Sequence, residues 1–217
     1  MSIGMILLTV LALLILFGVG ERVLDRMHLT DRQALFMVAA IFVGGWLPDI
    51  EIGRVSVNIG GALVPLGLCV YLLVRAGTGK ERVRALVAAV LTGAAVYLIG
   101  RLMPADPIQT IVDPNYVYGL AAGVIAYLLG RSRRAAFFAG VVGVLLADIA
   151  VAALNWSRGI DQTLHLGSAG ALDAVVISGL LAVLLAEFIG EAIERMTTGR
   201  ASDPMEDGAI ETGRRKR

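Results

Sequence analysis

Two aspartates sit in stretches that otherwise suit a lipid bilayer. Asp148 lies in GVLLADIAVAALNW, residues 143–156, and Asp173 in GSAGALDAVVISGLL, residues 167–181. An unpaired carboxylate in hydrocarbon costs several kcal/mol, so each must face a partner, water or a polar cavity. Two carboxyls that share a proton can act as acid and base on a scissile bond. The same pair could carry a proton or cation through a membrane, or hold the polar end of a ligand. Asn155 follows Asp148 by two helical turns and projects from nearly the same face. Together they predict a polar stripe turned toward the helix that carries Asp173. Arg101 closes another apolar run and is placed to reach such a carboxylate.

The elements that must position these residues follow from hydropathy. The chain is 57% hydrophobic and 17% charged, with mean hydropathy +0.79, against roughly 25% charged residues in a soluble domain. The fold class expected is an all-α integral membrane protein of about seven transmembrane helices. The spans are predicted near residues 2–20, 34–48, 60–75, 83–102, 116–130, 135–154 and 171–191. Met1 to Gly4 carries no basic segment, so the first span reads as an anchor rather than a cleaved signal.

All but three of the 19 Lys and Arg residues then fall on one side, in the segments after spans one, three, five and seven. Arg54, Arg101 and Arg158 are the exceptions. The positive-inside rule puts the C-terminus in the cytoplasm and the N-terminus outside. Residues 1–196 form the polytopic domain, and 197–217 read as a polar, disordered cytoplasmic tail. The expected location is the plasma (cytoplasmic) membrane. By this topology Asp148 and Asp173 lie toward the outer leaflet. Glu187, near the inner end of span seven, is expected to snorkel to the cytoplasm.

Between spans two and three runs PDIEIGRVSVNIGGALVPLG. Apolar residues alternate on each side of Gly53-Arg54, a two-residue turn suited to a short outer β-hairpin. That register pairs Ile52 with Val55 and Ile50 with Val57, and sets Asp49 opposite Asn58. Gly60, Gly61 and Pro65 follow, residues that permit close backbone approach and an irregular helix start. Small residues recur at helical spacing in span five (Gly119, Gly123), span six (Ala136, Gly140, Gly143, Ala147) and span seven (Gly170, Ala174, Ser178). Such rows let membrane helices approach closely. Trp46, Trp156, Tyr116 and Tyr118 read as interface anchors.

Other chemistry finds no support. Net charge is +1, so no basic field points to nucleic acid. A single cysteine, Cys69, and two separated histidines, His28 and His165, make no metal set, and nothing implies a cofactor.

Three runs, VNIGGALVPLGLCVYLL, LLADIAVAALNW and GSAGALDAVVISGLLAVLLAE, occur in this order. Together they resemble an uncharacterised polytopic membrane family of bacteria and archaea, domain of unknown function 1614. The resemblance implies a shared outer-leaflet site for Asn58, Gly60, Gly61, Pro65, Asp148, Asn155, Gly170 and Asp173. This chain has Ala174 where the family pattern carries glycine after the aspartate. The family brings no activity with it. The preferred reading is a non-catalytic membrane protein that binds a lipid or a membrane-protein partner, with Arg101 added to its site. An intramembrane aspartyl hydrolase using Asp148 and Asp173 is one alternative, although Ala171-Leu172-Asp173 differs from the Gly-x-Gly-Asp of presenilin-like proteases. A proton- or cation-coupled transporter is the other.

Overall fold

The computed structural model describes residues 30–75, 78–102, 114–130 and 132–198, and these are mostly helical. Six helices follow one another: α1 (Asp31–Gly44), α2 (Val64–Val74), α3 (Gly79–Leu102), α4 (Pro114–Gly130), α5 (Arg133–Ser157) and α6 (Ala174–Thr198). The predicted first span, 2–20, lies outside the described residues. α6 continues to Thr198, past the boundary expected at 196, and the rest of the tail is outside the described residues. Two helices, α3 and α5, are long and apolar enough to cross a membrane.

Local chemistry sets the helix starts. Thr30 and Gln33 form a reciprocal capping box at α1, satisfying two otherwise orphaned amides. Ser132 accepts from the Ala135 amide at 3.2 Å to begin α5. Pro114 opens α4, where its missing N–H leaves no bond unmade.

The hairpin forms in the register the alternation gives, Ile50 against Val57 and Ile52 against Val55. Gly53 turns the chain at φ +62°, a conformation glycine adopts without strain. A third strand was not expected. β3 (Leu164–Leu166) lies parallel to β2 (Val55–Val57), with Val55 opposite Leu164 and Val57 opposite Leu166. β1 (Ile50–Ile52) and β2 are therefore two strands of a three-stranded sheet. The Leu-His-Leu alternation was the available signal, but three residues are too few to separate from a loop by sequence.

α5 is the hub of the bundle, packed most extensively on α3 and also on α4, α6 and α2. Small residues set the separations. The backbone of Ser178 in α6 runs against Gly140, and Gly119 and Gly123 of α4 receive Ile177 and Leu181 of α6. Gly143 turns the other way and meets Thr92 of α3. The small-residue row of span six thus serves two neighbours, and α3 joins the core expected from spans five to seven alone.

The faces of α3 are sorted largely by size. Ala85, Ala88, Ala89, Thr92, Gly93 and the larger Val96 are buried, while Val83, Leu86, Val87, Val90, Leu91 and Leu98 are exposed. At one end of the bundle, charged residues tie helices together. Glu81 accepts from Ser132 at 3.2 Å and pairs with Arg134 at 3.3 Å. Glu187 pairs with Arg133, both side chains largely buried. Glu187 is therefore held in an ion pair, not extended toward solvent as the sequence suggested.

Candidate functional site

The predicted site residues separate into two groups. The first is a backbone crossing built on Asn58. Its Oδ1 accepts from the Gly61 amide and its Nδ2 donates to Asp49 Oδ1, both at 2.8 Å. Ser56 donates to the other Asp49 oxygen at 3.0 Å, so the carboxylate links hairpin and helix start. The amides of Ala62 and Leu63 both reach the Asn58 carbonyl, which winds Ile59–Leu63 into a π-helical turn before α2. Two hydrogen bonds onto one carbonyl widen the turn by a residue. Pro65 is fully buried at the junction of this turn with α2, two residues after Leu63.

This turn passes between two other backbones. A Cβ on Gly44 would lie 2.8 Å from the Gly60 amide nitrogen, and one on Gly60 would overlap the end of α1. Gly61 and Gly167 meet in the same way, Gly167 at φ +70°. Gly170 rests against Gly45, with a Cβ placed 3.0 Å from its Cα. Gly60, Gly61 and Gly170, named by the sequence as binding residues, lie against the backbones of the α1 end, Gly167 and Gly45 respectively. None of them, nor Asn58 or Pro65, lines the cavity described next.

That cavity is the second group. It measures about 390 Å³ and lies between the Arg101 end of α3, the start of α4, the C-terminal half of α5 and the strand β3. Asp148 projects into it, half-buried, and among the described residues forms no hydrogen bond or ion pair. Arg101 shares the cavity. Its Nε donates to the Tyr97 hydroxyl at 3.2 Å and its guanidinium lies over the Tyr97 ring. Its terminal nitrogens have no partner among the described residues. His165, Gln162 and Tyr118 complete the polar wall, and Val96, Ala147, Val151 and Leu164 the apolar one. The sequence singled out Asp148 and Arg101 but passed over Tyr97, Gln162 and His165. Tyr97 comes with Arg101 on α3, whereas Gln162 and His165 are brought back over α5 by the segment that includes β3.

Asn155 and Asp173 take other roles. The Asn155 amide donates to Gln162 Oε1 at 3.0 Å, and the Trp156 indole donates to the Gln162 carbonyl at 2.9 Å. The expected stripe facing α6 is therefore a clamp on the loop leading to β3. Asp173 precedes α6 instead of lying within its first turn. Its Oδ1 accepts from the Val175 amide at 3.0 Å and its Oδ2 from the Ala169 amide at 3.2 Å. It is the N-cap of α6. Asp173 is buried outside the cavity lining, yet close enough to Asp148 for their charges to repel.

Chemically, the cavity offers one carboxylate, one guanidinium, one imidazole and two phenols on an apolar floor. It can hold a molecule carrying both charges. Among the described residues, no three carboxylate, imidazole or thiol groups converge to hold a metal ion. No curated protein and no solved structure matches the chain. A family profile described as protein of unknown function (DUF1614) matches residues 21–185, spanning the Asn58 turn, the Asp148 helix and the Asp173 cap. With most of its length matched, including two of the three motifs whole and the third up to residue 185, the chain belongs to the DUF1614 family.

Proposed function

We propose that this chain is a multi-pass protein of the plasma membrane that binds a zwitterionic lipid headgroup, without catalysis, in the cavity around Asp148. The proposed topology has seven spans, the N-terminus outside, the C-terminus in the cytoplasm, and the three-stranded sheet on the outer side. The arrangement of α3, small residues inward and Val and Leu outward, supports embedding in lipid. Water would not tolerate so much contiguous apolar surface, whereas tight small-residue contacts are how helices associate in bilayers. The grouping of Glu81, Arg133, Arg134 and Glu187 at one end supports that end as cytoplasmic.

The observation that carries the binding reading is the contrast between the two aspartates. Both Asp173 oxygens are held by backbone amides, while Asp148 faces the cavity unpartnered, with Arg101 in the same wall. A ligand amine satisfies Asp148 and a ligand phosphate satisfies Arg101. Phosphatidylethanolamine carries both groups. Native mass spectrometry of the full chain released from mixed-lipid nanodiscs tests this. Wild type retains phosphatidylethanolamine, Asp148→Asn loses it, and Asp173→Asn keeps it. Retention indifferent to Asp148 overturns the reading.

The packing of α5, which carries Asp148, against α6, which Asp173 caps, favours a second reading, an aspartyl hydrolase. A working dyad requires Asp173 to give up an amide and share a proton with Asp148. Proteolysis of a transmembrane peptide, lost on either Asp→Asn change, is the result that would favour it.

A further inference from the structure

The opposite end of α3 carries a second, different groove. It has a volume of about 500 Å³, with α3 forming one wall and Leu129 of α4 the other. Val83, Val87 and Leu91 line its length, and Lys80 and Arg84 stand at its mouth. These two cations are one turn apart on one face. Both are exposed, and among the described residues neither forms an ion pair or hydrogen bond. Their neighbours are engaged: Arg134 pairs with Glu81, Arg133 with Glu187, and Arg82 donates to the Val74 carbonyl.

We propose that this groove seats an anionic phospholipid of the cytoplasmic leaflet, its phosphate on Lys80 and Arg84 and one acyl chain along Val83, Val87 and Leu91. From Lys80 to Leu91 the helix rises about 16 Å, close to half of a ~30 Å hydrocarbon core. The groove thus matches one leaflet in depth, with positive charge at the headgroup end only. A wet groove for a free anion would not continue as an apolar channel. The inference rests on the proposed membrane topology, but it concerns a site about 25 Å from Arg101 along α3.

The test uses the full chain in nanodiscs of phosphatidylglycerol and phosphatidylcholine with identical acyl chains, read by native mass spectrometry. Wild type retains phosphatidylglycerol with a preference on the order of tenfold, the scale expected from two basic groups near a headgroup. Lys80→Gln with Arg84→Gln removes the preference. Val87→Trp, which fills the groove, lowers retention of both lipids, whereas Arg54→Gln on the distant hairpin changes nothing. Equal retention of the two lipids by wild type overturns the proposal, as does an undiminished preference in the neutralised variant. A dimer broken by Val87→Trp without loss of lipid also overturns it, and gives the groove to a second copy. Failure of the chain to float with liposomes would instead defeat the membrane reading itself.

Discussion

Gly61 crosses Gly167 so closely that a Cβ on either would overlap the other's backbone. The contact joins the π-helical turn before α2 to the loop that carries Asp173. Nothing flexible lies at the crossing, so relief requires the two backbones to part. Gly61→Ala is expected to destabilise the protein by about 3 kcal/mol. Gly67, one and a half turns further along α2, has open space around it. There an alanine is expected to be neutral or to stabilise by up to about 1 kcal/mol through helix propensity. Thermal unfolding in detergent compares the two. Similar losses for both would mean the crossing is looser than described.

Asn58 and Asp49 offer a charge-swap test. The Asn58 amide is a donor to the Asp49 carboxylate, and both residues hold the hairpin to the helix start. Asn58→Asp keeps the acceptor for the Gly61 amide but sets two carboxylates against each other. It is expected to cost about 2 kcal/mol or more. Adding Asp49→Asn restores a donor–acceptor pair, so the double variant should recover much of that loss. A double-mutant cycle measures the coupling, and additivity would show that the two side chains do not act together.

At Asp173, two backbone amides distinguish capping from catalysis. Asparagine keeps one acceptor oxygen and loses the other, while alanine loses both. Stability is expected to fall in the order Asp, Asn, Ala, with about 0.5–2 kcal/mol between the extremes. Equal stability of Asp173→Asn and Asp173→Ala would sink the capping role.

Thr92 presents the reverse case. Its hydroxyl is buried between α3 and α5 and, among the described residues, is the buried side-chain oxygen without a hydrogen-bond partner. Valine has the same shape without the stranded polar group. Thr92→Val should raise stability by about 1 kcal/mol. A loss of that size would show instead that the hydroxyl finds a partner in the membrane.

Hydropathy, charge placement and turn chemistry were readable along the chain because they depend on neighbours in sequence. They located the six described helices, the Gly53-Arg54 turn and the hairpin register, with helix ends at most seven residues from the expected ones. Asp148 was conspicuous for the same reason: a charge in an apolar run contradicts its surroundings. What the chain could not disclose was which distant segments would meet. The parallel pairing of β3 with β2 brings together residues more than a hundred positions apart, and with the Asn155 and Trp156 bonds to Gln162 it sets Gln162 and His165 in the cavity with Asp148. Likewise, a glycine beside a ligand and one that admits a second backbone read alike in sequence, and only the fold shows Gly167 crossing at Gly61. The two amides that reach Asp173 were equally unreadable, since hydrogen-bond direction is a property of the folded backbone.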